Sequence, residues 1–290
     1  MQRTDSQAAV TALGAVAPIT SHAAAAPRAS AQSAMLRIVK YILMDILRNK
    51  IVLGYTLFLL AVTFGLFNLS DNPAKGLISL LNILLIFTPL VSLVFSTIYF
   101  YNSYEFIELL AAQPLRRSVI LWSQYLGLGI ALSLATGVGV GVPLLIWSGL
   151  GSTGLLLLLI TIVLSWVFVA IALLASVMTR DKAKGIGVAL LLWFYFSLLY
   201  DAIVLLLMFS FNDYPLEKAM LALVSLNPID LGRVIMLLQM DVSALMGYTG
   251  AIFREFLGTI WGMVYAGAIL SCWIAIPLSL SFYIFKRKDF

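Results

Sequence analysis

Few residues in this chain are equipped for chemistry, and Asp201 is the first of them, a carboxylate deep within a long apolar run. On insertion scales an Asp at the bilayer centre costs about 2.5–3.5 kcal/mol. The Leu, Ile, Val and Phe residues between 185 and 211 offset that with roughly 5–10 kcal/mol on the same scale. The run still enters a membrane, but the carboxyl must turn toward protein and find a partner there. Two roles fit it. One is a proton or ion relay, or a cavity ligand. The other, which is the expectation, is a hydrogen-bonded structural contact with a Tyr or Ser of a neighbouring span. An intramembrane aspartyl protease needs a second carboxylate within the membrane, and no other apolar run supplies one.

Met236 and Met240 stand four apart, so on a helix their thioethers share a face and form a candidate Cu(I) pair. Methionine is also ordinary apolar filler, and the chain has ten. The single cysteine, Cys272, excludes an internal disulfide and a multi-thiolate metal site. The single histidine, His22, excludes the usual His-rich zinc sites. GxxxxGK[ST], HExxH and GxSxG are all absent, so phosphate cradling and these hydrolytic chemistries belong to other polypeptides. No cofactor is expected. Gly137, Gly139 and Gly141 imitate a dinucleotide loop but fall inside an apolar run with no strand before them. The Gly137–Gly141 pair reads instead as a small-xxx-small packing face.

The remaining chemistry is charge. Residues 104–118 read YEFIELLAAQPLRRS. Glu105 and Glu108 are one helical turn apart, Pro114 stops the helix, Arg116 and Arg117 follow, and Ser118 is placed to cap the next span. Carboxylates followed by a guanidinium pair suit a docking peg for a soluble partner, and they suit equally a solvated loop that only sets topology. Farther on, Asn227, Pro228 and Asp230 give a helix start: Asn as cap, Pro first, an acid in the first turn.

These residues must be positioned by membrane helices. Of 290 residues, 62% are hydrophobic and 11% charged, against roughly 25% charged in a soluble domain. Six runs reach the ~20 residues needed to cross a bilayer, at about 51–69, 77–101, 119–148, 153–178, 185–211 and 258–285. The fold expected is all-α and polytopic. Net charge is +5, but the charges sit in short clusters between apolar runs, which points to a lipid bilayer as partner and not to nucleic acid. Arg37, Lys40, Arg48, Lys50, Arg116, Arg117, Arg180, Lys182, Lys184, Lys286, Arg287 and Lys288 share one side; Lys75, Lys218, Arg233 and Arg254 share the other. That asymmetry places both termini in the cytoplasm. Residues 1–34, rich in Ala and Ser, read as a disordered tail or a product of an upstream start codon, with the membrane domain at 35–290. Residues 35–50 alternate charge and apolarity at helical spacing and should form an interfacial helix that turns up into the first span. The segment 212–257 is the one long loop, and its short helices should lie over the outer mouth. Within it Leu231, Val234, Ile235 and Leu238 make an apolar face, Asp241 follows, and Gly247-Tyr248-Thr249-Gly250 forms a turn.

With the residues laid out, the chain over 35–290 resembles the permeases of the ABC-2 class of ABC transporters, and Glu105–Arg117 is the most specific stretch. The resemblance implies a coupling helix at 104–117 that seats in a groove of an ABC ATPase subunit, with Glu105, Glu108, Pro114, Arg116 and Arg117 as coupling residues. It also implies two permeases and two ATPases per complex, in a bacterial inner membrane. At a finer level, Tyr101-Asn102-Ser103, Tyr200-Asp201, Asn212–Leu216, Asn227–Leu231 and Asp241–Gly250 resemble the NosY-type, copper-processing branch that matures nitrous oxide reductase. There a periplasmic β-helical protein docks on the outer segment, so Asn227, Pro228, Asp230, Asp241 and Tyr248 become partner-facing candidates. The first 34 residues depart from that family.

The function expected is therefore a non-catalytic permease subunit that couples a separate ATPase to transport, or to conformational work on a periplasmic partner. Export of a lipid, drug or other small molecule is the alternative within the class. An ATP-independent scaffold or channel is the alternative outside it, though no polar stripe lines facing spans beyond Asn82, Thr88, Asp201 and scattered Ser and Thr.

Overall fold

The computed structural model describes residues 31–70, 72–112, 116–148, 151–179, 181–211, 217–240 and 260–287, with backbone alone at 31–34, 217–219 and 260. Pro114, Asp241, Tyr248 and the first thirty residues lie outside these. Every described element is helical. In chain order they are α1 (Ala31–Leu47), α2 (Lys50–Leu69), α3 (Pro73–Asn102), α4 (Tyr104–Ala111) and α5 (Arg117–Thr136), which runs through a π turn, Gly137–Gly141, into α6 (Val142–Ser148). Then follow α7 (Ser152–Met178) and α8 (Lys182–Phe194), which passes through a second π turn, Tyr195–Leu199, into α9 (Tyr200–Ser210). Two short helices, α10 (Glu217–Ser225) and α11 (Pro228–Gln239), precede α12 (Ile260–Arg287). Among the described residues six segments are long and apolar enough to cross a membrane: α2, α3, α5–α6, α7, α8–α9 and α12. They match the six expected runs to within a few residues at each end.

Short polar side chains start these helices, because the first N–H groups of a helix have no partner within it. Asn49 accepts from the N–H of Ile51 at 2.9 Å, and Asn72, ahead of Pro73, accepts from Ala74 at 2.9 Å. Asp181 takes Ala183 at 2.7 Å and Lys184 at 3.2 Å. Arg116, by contrast, holds the N-cap of α5 without a side-chain bond, so Ser118 is not that cap.

The bundle is built around α7. It packs against α3, α5, α8, α11 and α12, and 61% of its most apolar window is buried, against 17% for the fifth span. Lipid tails are as apolar as leucine, so close packing and buried hydrogen bonds must hold such helices together. Phe168, Val167, Ala170 and Ala172 of α7 are fully buried. Trp166 donates to Ser133 Oγ at 2.9 Å and Tyr55 bonds Thr88 at 3.3 Å. Pro89 interrupts the ladder of α3, and one turn away Trp193 of α8 donates to the Ile86 carbonyl at 3.0 Å.

Two expectations are corrected here. The N-terminal helix runs over Ala31–Leu47 in place of the expected 35–50, ahead of α2. Its Ile38, Ile42 and Ile46 are buried and it packs on α5, leaving Leu36 and Tyr41 exposed; only part of its apolar face is free for an interface. A Cβ on Gly127 would run into the Ile42 side chain, so the close approach requires glycine there. The close packer of the other glycine run is Gly139, whose Cβ would fall 2.6 Å from Leu59 and 3.0 Å from the Thr56 carbonyl. Gly137 faces open space, because the π turn rotates the expected Gly137–Gly141 face away from α2.

Candidate functional site

At one end of the bundle α4 projects as a helix of eight residues. Ile107 and Leu110 are buried, and Phe106 lies against Tyr41 of α1 with ring centroids 5.4 Å apart. On the opposite face Glu105 and Glu108 are exposed, and Leu109 is 67% exposed. The helix is thus fixed by one stripe and offers carboxylates and a leucine on the other. It ends at Ala111, short of the expected Arg117. Arg117 instead opens α5, where its Nη1 donates to the Lys286 carbonyl at 3.3 Å and so ties α5 to the end of α12. Glu108, Ala111, Ala112 and Arg117 line a recess of about 340 Å³. Arg116 is exposed beside it.

The residues just before α4 are bonded onward. The Tyr101 hydroxyl pairs with the Thr179 hydroxyl and reaches the Thr179 carbonyl at 3.2 Å. Lys182 Nζ donates to Asn102 Oδ1 at 2.7 Å. The Tyr101 ring occupies the space a Cβ on Gly185 would need. The root of the fifth span is therefore clasped to the residues from which α4 springs.

The second cluster lies farther along that same span. Its members come from α9 and from α11, which does not lie over the mouth of the bundle as expected. Gly232 of α11 meets Ile160 and Leu164 of α7, which are some eight to twelve residues, or about 12–18 Å, inside the start of that helix. Asn227 reaches deeper contacts. Its side-chain oxygen caps α11 by accepting from the Ile229 N–H at 3.1 Å, and its NH₂ donates to the Phe196 carbonyl at 2.9 Å and to Asp230 at 2.9 Å. Phe196 is in the π turn, where one carbonyl is freed from the regular ladder.

Arg233 completes the cluster. Its Nη1 donates to Asp201 at 3.0 Å and to Asp230 at 3.1 Å. The partner of Asp201 is thus an arginine and not the expected Tyr or Ser, for a physical reason: a charge in an apolar span is best met by an opposite charge that can also donate. Arg233, at 31% exposure, reads from sequence as an outer-loop charge, which hides its pairing with Asp201. The available signal was its i,i+3 spacing from Asp230 on a well-capped helix, together with a lone intramembrane carboxylate in need of a cation. Asp201, Asn227, Pro228 and Asp230, named separately from sequence, converge here. Met236 is fully buried in the core and Met240 packs against it, so both thioethers serve as packing in this arrangement. Among the described residues no group of three or more His, Cys, Asp or Glu is arranged to hold a metal.

Comparison with known families decides the class. The sequence profile described as ABC-2 family transporter protein matches residues 1–290. The chain belongs to the ABC-2 transporter family. This ABC-2 protein is a multi-pass membrane permease component, of a class that works with an ABC ATPase. No curated protein matches it.

Proposed function

We propose that this ABC-2 permease turns the nucleotide-driven stroke of a separate ATPase pair into movement on the far side of the bilayer. In this reading α4 is the coupling helix, and Glu105, Glu108, Pro114, Arg116 and Arg117 serve the ATPase interface. Two copies of the chain sit in a bacterial inner membrane with both termini in the cytoplasm. The finer assignment is the copper-processing branch that matures nitrous oxide reductase, with a periplasmic β-helical partner on the segment 212–257. It rests on the sequence strings around Tyr101, Tyr200, Asn212, Asn227 and Asp241.

One observation carries the mechanism, the two sets of bonds that grip the fifth span, one from the end of α3 just before α4 and the other from α11. Tyr101 and Asn102 grip Thr179 and Lys182 at its root, and Asn227 and Arg233 grip Phe196 and Asp201 beyond its middle. Besides the two grips the span packs on α3 and α7, and most of its apolar window stays exposed in the single chain. The π turn at the second grip supplies a place for the span to bend. An ATPase can shift such a bundle only by favouring one arrangement over another, and the two grips are where the arrangements would differ.

The interface half is tested by reversing Glu108 and Arg116 to Lys and Glu and measuring co-purification of the ATPase. At least a tenfold loss of recovery is expected, and undiminished recovery removes α4 from that role. The branch assignment is tested by the copper content of nitrous oxide reductase in cells lacking this chain. Normal copper loading would shift the reading to export of a lipid, drug or other small molecule.

A further inference from the structure

We infer that this protein holds one anionic phospholipid in a groove at the α4 end of its lipid-facing surface. Ile51 of α2, Leu90, Val91, Val94, Phe95 and Ile98 of α3, and Leu190 of α8 line a groove of about 290 Å³ with no polar surface. It runs from Ile98, one turn from the end of α3, to Leu90, three turns from it. That is a depth of about 6–18 Å by helical rise, against the ~15 Å half-thickness of the hydrocarbon. The groove is therefore as deep as the acyl chain of one leaflet. Under the orientation that the charges predict, it is the cytoplasmic one.

Charge selects the occupant. Lys50 adjoins Ile51, with Arg48 just before it, and Lys182 bonds Asn102 at the foot of α3 directly below Ile98. All three are exposed, and among the described residues the only carboxylate ion pairs are those of Arg233. The nearby acids are engaged: Asp45 accepts from Tyr99 at 3.0 Å and Asp181 caps α8. Cations at the headgroup level of a wholly apolar groove fit a phosphate joined to an acyl chain. A zwitterionic lipid would bring its own cation to the same place. The lysines grip the phosphate while the chain fills the groove. This lipid site is independent of the copper assignment, and it shares Lys182 with the clasp at the root of the fifth span.

The test is native mass spectrometry of the purified chain released from detergent in equimolar phosphatidylglycerol and phosphatidylcholine. Wild type is expected to retain phosphatidylglycerol at least fivefold over phosphatidylcholine. K50E/K182E should lose the preference, and V94W, which fills the groove without touching a charge, should lose both lipids while keeping its melting temperature. Equal retention by wild type means annular lipid only and overturns the proposal, as does unchanged retention by a folded V94W. Disulfide formation between L190C copies in a C272S background, undiminished by added phosphatidylglycerol, would show a second copy covering this face and would overturn it too.

Discussion

Arg233 holds Asp201 and Asp230 through a single nitrogen, so removing it sets two carboxylates side by side next to an apolar wall. Breaking a fully buried ion pair costs about 3–5 kcal/mol. Here both Arg233 and Asp201 remain about a third exposed, which screens the effect, and roughly 1–2 kcal/mol is the expectation for Arg233→Met. A double-mutant cycle separates this from lost packing. Arg233→Met with Asp201→Asn should be less destabilised than the sum of the single variants when the melting temperature is followed in detergent. Strict additivity would mean the ion pair contributes nothing. Asn227 serves three partners at once, and Asn227→Ala should cost about 1 kcal/mol for the cap alone, with more for the Phe196 carbonyl and Asp230 it leaves unmet. Asn227→Asp keeps the capping oxygen but cannot donate to Phe196. Its stability relative to Ala therefore reports how much the link to the π turn matters.

At the scale of elements, the close approaches make sharp contrasts. Gly127→Leu should separate α1 from α5 and lower stability by about 1–3 kcal/mol, as overpacking does, whereas Gly54→Leu, with open space around it, should be nearly neutral. Likewise Gly139→Val should disturb the α2 contact and Gly137→Ala should not. A thermal-shift series over these four variants checks the helix packing directly. Much of this level was readable from residue types. Six apolar runs, the cap at Asn227, and the amphipathic α1 and α4 all announce themselves within a few residues of sequence, whereas Ser118 reads as a cap that Arg116 holds instead. What was not readable depends on rotation about a helix axis. A π turn shifts the register of every residue beyond it, so the spacing of Gly137 and Gly141 named the wrong glycine. Whether α11 lies on the bundle or enters it is decided by which faces of α7 are left uncovered, and no local pattern in 212–257 encodes that. The two carboxylates and Asn227 were legible as candidates, but the pairing of Arg233 with Asp201 was not, because the two lie 32 residues apart on different helices.

For the whole molecule, the account makes the fifth span a connecting rod between two grips, with α7 as the fixed post around which the other helices pack. Such a rod transmits only if both grips hold, so cutting either should leave the ATPase running and the far side still. The most direct measurement uses the complete complex with its ATPase, in lipid, carrying spin labels at Gln239 of α11 and Leu155 of α7 in a C272S background, both positions being exposed. Pulsed dipolar spectroscopy then compares the nucleotide-free state with one trapped by a non-hydrolysed ATP analogue. The account predicts a change of about 2–5 Å in the distance, of the size seen when helices shift in switching proteins, and its loss in Arg233→Met with nucleotide hydrolysis retained. An identical distance distribution with and without nucleotide in the wild-type complex would contradict it.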